Sequence, residues 1–178
     1  MQFQSTILTL PGIGGSGPEH WQSFWENEYG FTRIEQQDWE TPVRHDWVTN
    51  IHNEVSKYDP KEVVIVGHSA VCAAILYWVQ QYQIKIKGAL LVAPADPEAE
   101  TFPSGATGFA LMPLIKLPFP SIVVASSNDY FATLERSKHF ADAWGSEFIN
   151  IGDAGHINIA SGYGKWDEGL EILKQLDK

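Results

Sequence analysis

The stretch EVVIVGHSAVCAAILYWVQQ, Glu62 to Gln81, contains two kinds of local structure joined by a bend. Val63 to Val66 is a short run of β-branched residues, the pattern of a strand buried on both faces. Gly67, His68 and Ser69 follow, and then an alanine-rich apolar run of helix-compatible composition. Strand, sharp turn and helix, with a serine at the turn, is the layout of a nucleophile elbow. The strained bend projects the hydroxyl from the sheet edge with no neighbouring bulk over it. The helix N-terminus beneath it offers backbone N–H groups and a positive dipole end to a developing oxyanion. The signature form is G-x-S-x-G, whereas Gly67-His68-Ser69-Ala70-Val71 lacks the second glycine.

Outward from this unit, strand and helix patterns alternate. Phe3 to Leu10 reads as a strand around the core Thr6-Ile7-Leu8-Thr9-Leu10, and Pro11 to Gly17 (PGIGGSG) is a glycine-rich loop. Pro18 suits the first turn of a helix capped by Ser16 or Gly17, with Trp21, Phe24 and Trp25 on one face. Thr32 to Glu35 is a short second strand, and Trp47, Ile51 and Val55 recur at helical spacing. Downstream, Ile86 to Ala93, Ser121 to Ala125 and Phe148 to Ile151 read as strands. Leu134, Ala141 and Trp144 mark one helix; Trp166, Leu170, Leu173 and Leu176 mark the C-terminal one. Ala95 to Pro118, with Pro97, Pro103, Pro113 and Pro118, has no periodicity. It reads either as a long loop packed on the domain or as one wall of a substrate pocket. No repeat, linker or low-complexity segment divides the chain, so residues 1–178 are expected to form one domain. The pattern implies an α/β fold with a mainly parallel sheet and helices on both faces.

A chain of 178 residues can bury a substantial core, and its seven tryptophans and nine phenylalanines supply large packing groups. A formal charge of −10 argues against a nucleic-acid or anionic-membrane partner. The single cysteine, Cys72, cannot form an internal disulfide and fits a reducing, cytoplasmic setting. The opening MQFQSTILTLPGIGG has no basic region before its apolar run, so it reads as a strand and not as a signal peptide. No run of 18 apolar residues suggests a membrane span. Nothing in the sequence sets an oligomeric state.

Ligands gather at the carboxyl ends of strands in such sheets, and three reactive residues fall there: Ser69, Asp129 and His156. Their order, Ser then Asp then His, is that of the α/β-hydrolase triad. All three types are needed. A serine hydroxyl requires a neutral imidazole to take its proton, and the imidazole requires a carboxylate to fix its tautomer. Asp96, after another strand, is the second choice for the acid, while Asp153 reads as a structural loop residue. His20, His45, His52 and His139 read as polar-face or packing residues, and His68 as pointing away from the nucleophile. In the glycine loop, the Ile13 N–H would join that of Ala70 as an oxyanion hole. The same loop matches G-x-G-x-x-G from Gly12 to Gly17, with Glu35 placed as a ribose-binding acid. That dinucleotide interpretation is weakened by Pro18, which starts the helix after the third glycine instead of packing that glycine within it. No metal-binding or Walker pattern is present.

The segments PGIGGSGPEHWQSFW, VRHDWV, VVIVGHSAVCA, KGALLVAPAD, FPSIVVASSNDYF and AWGSEFINIGDAGHINIASGYGKW run through nearly the whole chain. Together they resemble the small YdeN-like serine hydrolases related to retinoblastoma-binding protein 9, a compact branch of the α/β-hydrolases. The resemblance implies a minimal α/β-hydrolase fold without a large cap, with the nucleophile on Ser69, the acid on Asp129 and the base on His156. It also implies a cofactor-free enzyme cleaving a small ester, thioester or amide. Two departures stand out: Ala70-Val71-Cys72 replaces the family's usual Leu-Gly-Cys, and Pro11 replaces a histidine common before the first loop glycine. Val71 leaves open the alternative of a catalytically silent binding protein on the same scaffold. The Leu-x-Cys-x-Glu motif associated with retinoblastoma binding is absent, so that role is not expected here.

Overall fold

The computed structural model describes residues 2–178. Six strands form one wholly parallel sheet: β1 (Thr6–Leu10), β2 (Thr32–Arg33), β3 (Val63–His68), β4 (Gly88–Val92), β5 (Ser121–Ala125) and β6 (Glu147–Asn150), in the spatial order β2-β1-β3-β4-β5-β6. Five α-helices flank it: α1 (Trp21–Tyr29), α2 (Arg44–Val55), α3 (Val71–Tyr82), α4 (Leu134–Trp144) and α5 (Asp167–Leu173).

The β3 run is apolar without alternation because both faces are covered. Val63 and Ile65 face a core shared with Trp47 and Ile51 of α2, Trp78 of α3 and Phe140 of α4. Val64 and Val66 face the opposite core, built on Trp21 and Trp25 of α1 and Leu170 of α5. Burying a side chain of this size contributes about 1.5–3 kcal/mol, so two continuous cores outweigh any local preference along β3. The order of winding reverses between β1 and β3: β1 leads outward to the β2 edge, and the chain then crosses to build β3 to β6 on the other side. Such a switch point leaves a crevice at the carboxyl ends of the two strands.

Several boundaries differ from those expected. The helix after Pro18 starts at Trp21, because the His20 imidazole and neither Ser16 nor Gly17 caps it, Nδ1 accepting from the Gln22 N–H at 3.2 Å. Pro18 to His20 instead form a turn closed by the His20 N–H on the Gly17 carbonyl. Trp21 and Trp25 are buried while Phe24 is only half-buried. The second strand is confined to Thr32–Arg33. The segment after Asp96 has no helix or strand of its own, only an isolated bridge from Thr107 to Val43. Both readings of it hold in part. Phe109, Met112 and Leu117 pack into the core under α2, α3 and α4, whereas Ala95 and Pro103 reach a cleft at the sheet's carboxyl end.

Candidate active site

The cleft of about 400 Å³ opens above the switch point. Its floor is the bend between β3 and α3. Ser69 has φ +67°, a left-handed conformation that a residue with a Cβ adopts only under strain. The bend is held on one side by the Ser69 N–H, which donates to the Val92 carbonyl of β4 at 3.0 Å. On the other side α3 packs tightly under Gly67, where a Cβ would lie 2.5 Å from Ile75 Cδ1 and 3.3 Å from Val71 Cγ1. The Val71 side chain therefore fills space that Gly67 leaves open, and the elbow keeps its conformation without a glycine at 71.

The loop after β1 closes over this bend. A Cβ on Gly12 would stand 2.8 Å from both the His68 carbonyl oxygen and Ser69 Cβ, so only glycine allows the approach. Arg33 pins the loop from behind, donating through one guanidinium nitrogen to the Gly15 and Ser16 carbonyls at 2.8 and 3.2 Å while pairing with Glu26. The Ile13 and Ala70 N–H groups, both on the cleft wall, donate to no other protein group among the described residues. Gly17 has open space where a Cβ would be, so it lacks the close packing required of the third glycine of a dinucleotide fingerprint.

Asp129 lies in the loop after β5 and His156 in the loop after β6. The side chain of Ser126 and that of Asn128 stitch the two loops together, accepting from the Ala154 N–H at 2.9 Å and the Gly155 N–H at 2.7 Å. His156 Nδ1 sits 2.9 and 3.0 Å from the two Asp129 carboxylate oxygens, and Nε2 sits 2.8 Å from Ser69 Oγ. The Phe131 N–H donates to Asp129 Oδ1 at 2.9 Å, which orients the carboxylate. Ser69, Asp129 and His156 are thus brought together. Asp96 is not among them: Arg136 of α4 binds both its oxygens, at 2.6 and 3.1 Å. Asp153 is exposed. Among the described residues no cluster of three His, Cys, Asp or Glu side chains could hold a metal ion.

His45 and His139 are exposed and His52 stacks on Tyr82, in keeping with packing or surface roles. His20, read as a polar-face or packing residue, is buried against Trp21, and His68, read as pointing away from the nucleophile, is buried too; beyond those readings, both also line the cleft. Their rings form a row with His156, at centroid separations of 5.0 and 4.9 Å. His68 Nε2 lies 2.9 Å from the backbone carbonyl oxygen of His156. Burial, then Arg33 and His156, lowers the His20 pKa to about 4. Burial, then the two neighbouring histidines, holds His68 well below the ordinary histidine range. Both rings are neutral near pH 7. The only sequence signal for either was position: His20 ends the loop after β1, and His68 precedes Ser69. Among the described residues no Lys, Arg, Asp or Glu lines the cleft, although the whole chain carries a formal charge of −10.

The model of the family described as serine hydrolase matches residues 7–175. The structure resembles a YdeN-like hydrolase from Pectobacterium atrosepticum, 36% identical, with 97% of this chain and 90% of that one covered and a TM-score of 0.85. It also resembles the ydeN gene product of B. subtilis, at 17% identity, 97% and 98% coverage and a TM-score of 0.79. A thermophilic esterase from Thermogutta terrifontis shares the fold at 14% identity, 100% and 92% coverage and a TM-score of 0.71. No curated protein sequence matches the chain.

Proposed function

This chain belongs to the serine hydrolase family, among the YdeN-like α/β-hydrolases, and we propose that it cleaves small, uncharged esters, thioesters or amides through an acyl-enzyme on Ser69. The observation that carries the proposal is the unbroken hydrogen-bond chain from Ser69 through His156 to Asp129 on the cleft floor, with links of 2.8 and 2.9 Å.

Asp129 accepts the Nδ1–H of His156 and so leaves the Nε2 lone pair facing the Ser69 hydroxyl. As Oγ attacks the substrate carbonyl carbon, its proton passes to Nε2, and Asp129 stabilises the imidazolium. The carbonyl oxygen becomes an oxyanion within reach of the Ala70 and Ile13 N–H groups, whose freedom from other acceptors suits them to the task. His156 returns the proton to the departing alkoxide, thiolate or amine. Water then attacks the acyl-enzyme with His156 as base, and the acid leaves with Ser69 restored. No cofactor enters these steps.

An uncharged cleft of this size favours a neutral acyl group of a few carbons, since an isolated charge would lose hydration without gaining a partner. The fold shared with a thermophilic esterase is compatible with this reading. No helix among the described residues is long and apolar enough to cross a membrane. A cytoplasmic setting belongs to the same proposal, supported by Cys72, which is buried and free. Labelling by a fluorophosphonate probe tests the chemistry. Strong labelling of the wild type, lost in Ser69→Ala and His156→Ala, is expected. A folded wild type that stays unlabelled would refute it and favour the silent binding scaffold.

A further inference from the structure

We propose that His68 is a positioning residue for the reaction: its neutral imidazole, donating from Nε2–H to the backbone carbonyl of His156, fixes the base relative to the nucleophile. The inference rests on the hydrolase reading above and concerns how its catalytic geometry is maintained.

Three observations carry it. First, the loop bearing His156 is backbone-strained at the next residue, the β-branched Ile157 with φ +49°, so it does not hold its shape by local preference. A Cβ at Gly155 would collide with the side chain of Ser161, whose Oγ accepts the His156 N–H at 3.0 Å. Second, the peptide groups on either side of this strain are held by donors from distant elements. Trp21 Nε1–H of α1 donates to the Ile157 carbonyl at 2.9 Å. His68 Nε2 approaches the His156 carbonyl at 2.9 Å from the end of β3. The carbonyl accepts, so the proton is on Nε2 of His68. Third, His68 is bonded in sequence to Ser69. One dipeptide therefore grips the base at both ends: Ser69 Oγ meets the His156 ring at 2.8 Å, and His68 Nε2 meets its main chain at 2.9 Å.

That arrangement ties the Ser-to-His separation to the elbow and not only to the conformation of a loop 88 residues away in sequence. His68 is only 5% exposed, so leaving its N–H without this acceptor would cost the desolvation of a buried donor, which favours keeping the bond to the carbonyl. Misplacing a catalytic group by about 1 Å can cost on the order of 10²-fold in rate, which sets the expected scale.

The test compares wild type, His68→Phe and His68→Gln with p-nitrophenyl acetate as substrate. Phenylalanine keeps a ring and removes the donor, whereas the Gln amide nitrogen can occupy the place of Nε2. His68→Phe is expected to lower kcat by about 10- to 100-fold with KM within about twofold, and His68→Gln to recover most of the loss. Hydrogen exchange of the Gly155 to Asn158 amides reads the clamp independently of turnover: it should accelerate in His68→Phe and return towards wild type in His68→Gln. Unchanged kcat and unchanged exchange in His68→Phe would overturn the proposal. Equal impairment of both variants would also overturn it, by assigning the effect to ring packing. A wild type without activity would refute the hydrolase reading, while the exchange measurement would still decide the clamp.

Discussion

Replacing His20 by asparagine should make the protein less sensitive to acid. The His20 ring is 4% exposed and its pKa is lowered from 6.5 to about 4, chiefly by burial and then by Arg33 and His156. Between these values the unfolded chain binds a proton that the folded chain refuses. Stability therefore rises with pH across the window and is lost as pH falls from about 6.5 to about 4. The full loss from this one group is about 3 kcal/mol, most of it complete by about pH 4.5. Asparagine keeps an acceptor at the cap of α1 and removes the titrating ring. The measurement is urea unfolding, followed by tryptophan fluorescence, at pH 7 and pH 4.5. The variant is expected to lose about 2 kcal/mol less than the wild type between the two conditions, even though its stability at pH 7 drops through lost ring contacts. Carboxylates titrate in both proteins and cancel. His68 remains in both, so burial, the chief cause of its lowered pKa, cancels, and only the smaller repulsion from His20 does not. An equal or steeper loss in the variant would refute the assignment of acid sensitivity to a buried, neutral His20.

The two candidate acids separate by what they hold. Asp129→Asn should lower kcat by about 10³- to 10⁴-fold with little change in melting temperature, because it disturbs the His156 tautomer. Asp96→Asn should leave kcat near wild type and cost about 1–3 kcal/mol in urea unfolding, because it weakens the bond to Arg136. Gly12→Ala should fold but lose at least about tenfold in kcat, since the added methyl must push the loop off the His68 carbonyl; full activity would show that the close approach is dispensable. Val71→Gly restores the missing signature glycine, yet should destabilise by about 2–3 kcal/mol without raising kcat, because it empties a wholly buried site and puts glycine in the first turn of α3.

How legible each part was depends on whether its cause is local. β5 spans Ser121–Ala125 as expected, because a run buried on both faces announces itself in composition alone. β6 has two exposed residues and is an edge strand, and its span, Glu147–Asn150, is shifted by one from the apolar run Phe148 to Ile151. α1 starts later than its sequence suggests for a different reason. Pro18 is a legitimate first-turn residue, but the cap was decided by an imidazole whose burial depends on Trp21 and on His68 from another strand. The long segment after Asp96 could not be read by periodicity, since its apolar residues bind to a core already built by α2, α3 and α4.

The same division runs through the candidate site. Ser69, Asp129 and His156 could be singled out because topology sends the end of every parallel strand to one edge, so three local motifs implied one place. His68 could not, since its partner is a main-chain carbonyl and any residue at 156 would present one. The elbow makes the same point from the other side. Its signature asks for small residues wherever strand and helix come closest, and one end of that contact is already glycine, at 67. The valine at 71 then packs against that absence, within a bend whose Ser69 dihedral is held by β4. A motif scored position by position registers a missing glycine, whereas the space it serves is shared between two positions, and only their sum has to stay small.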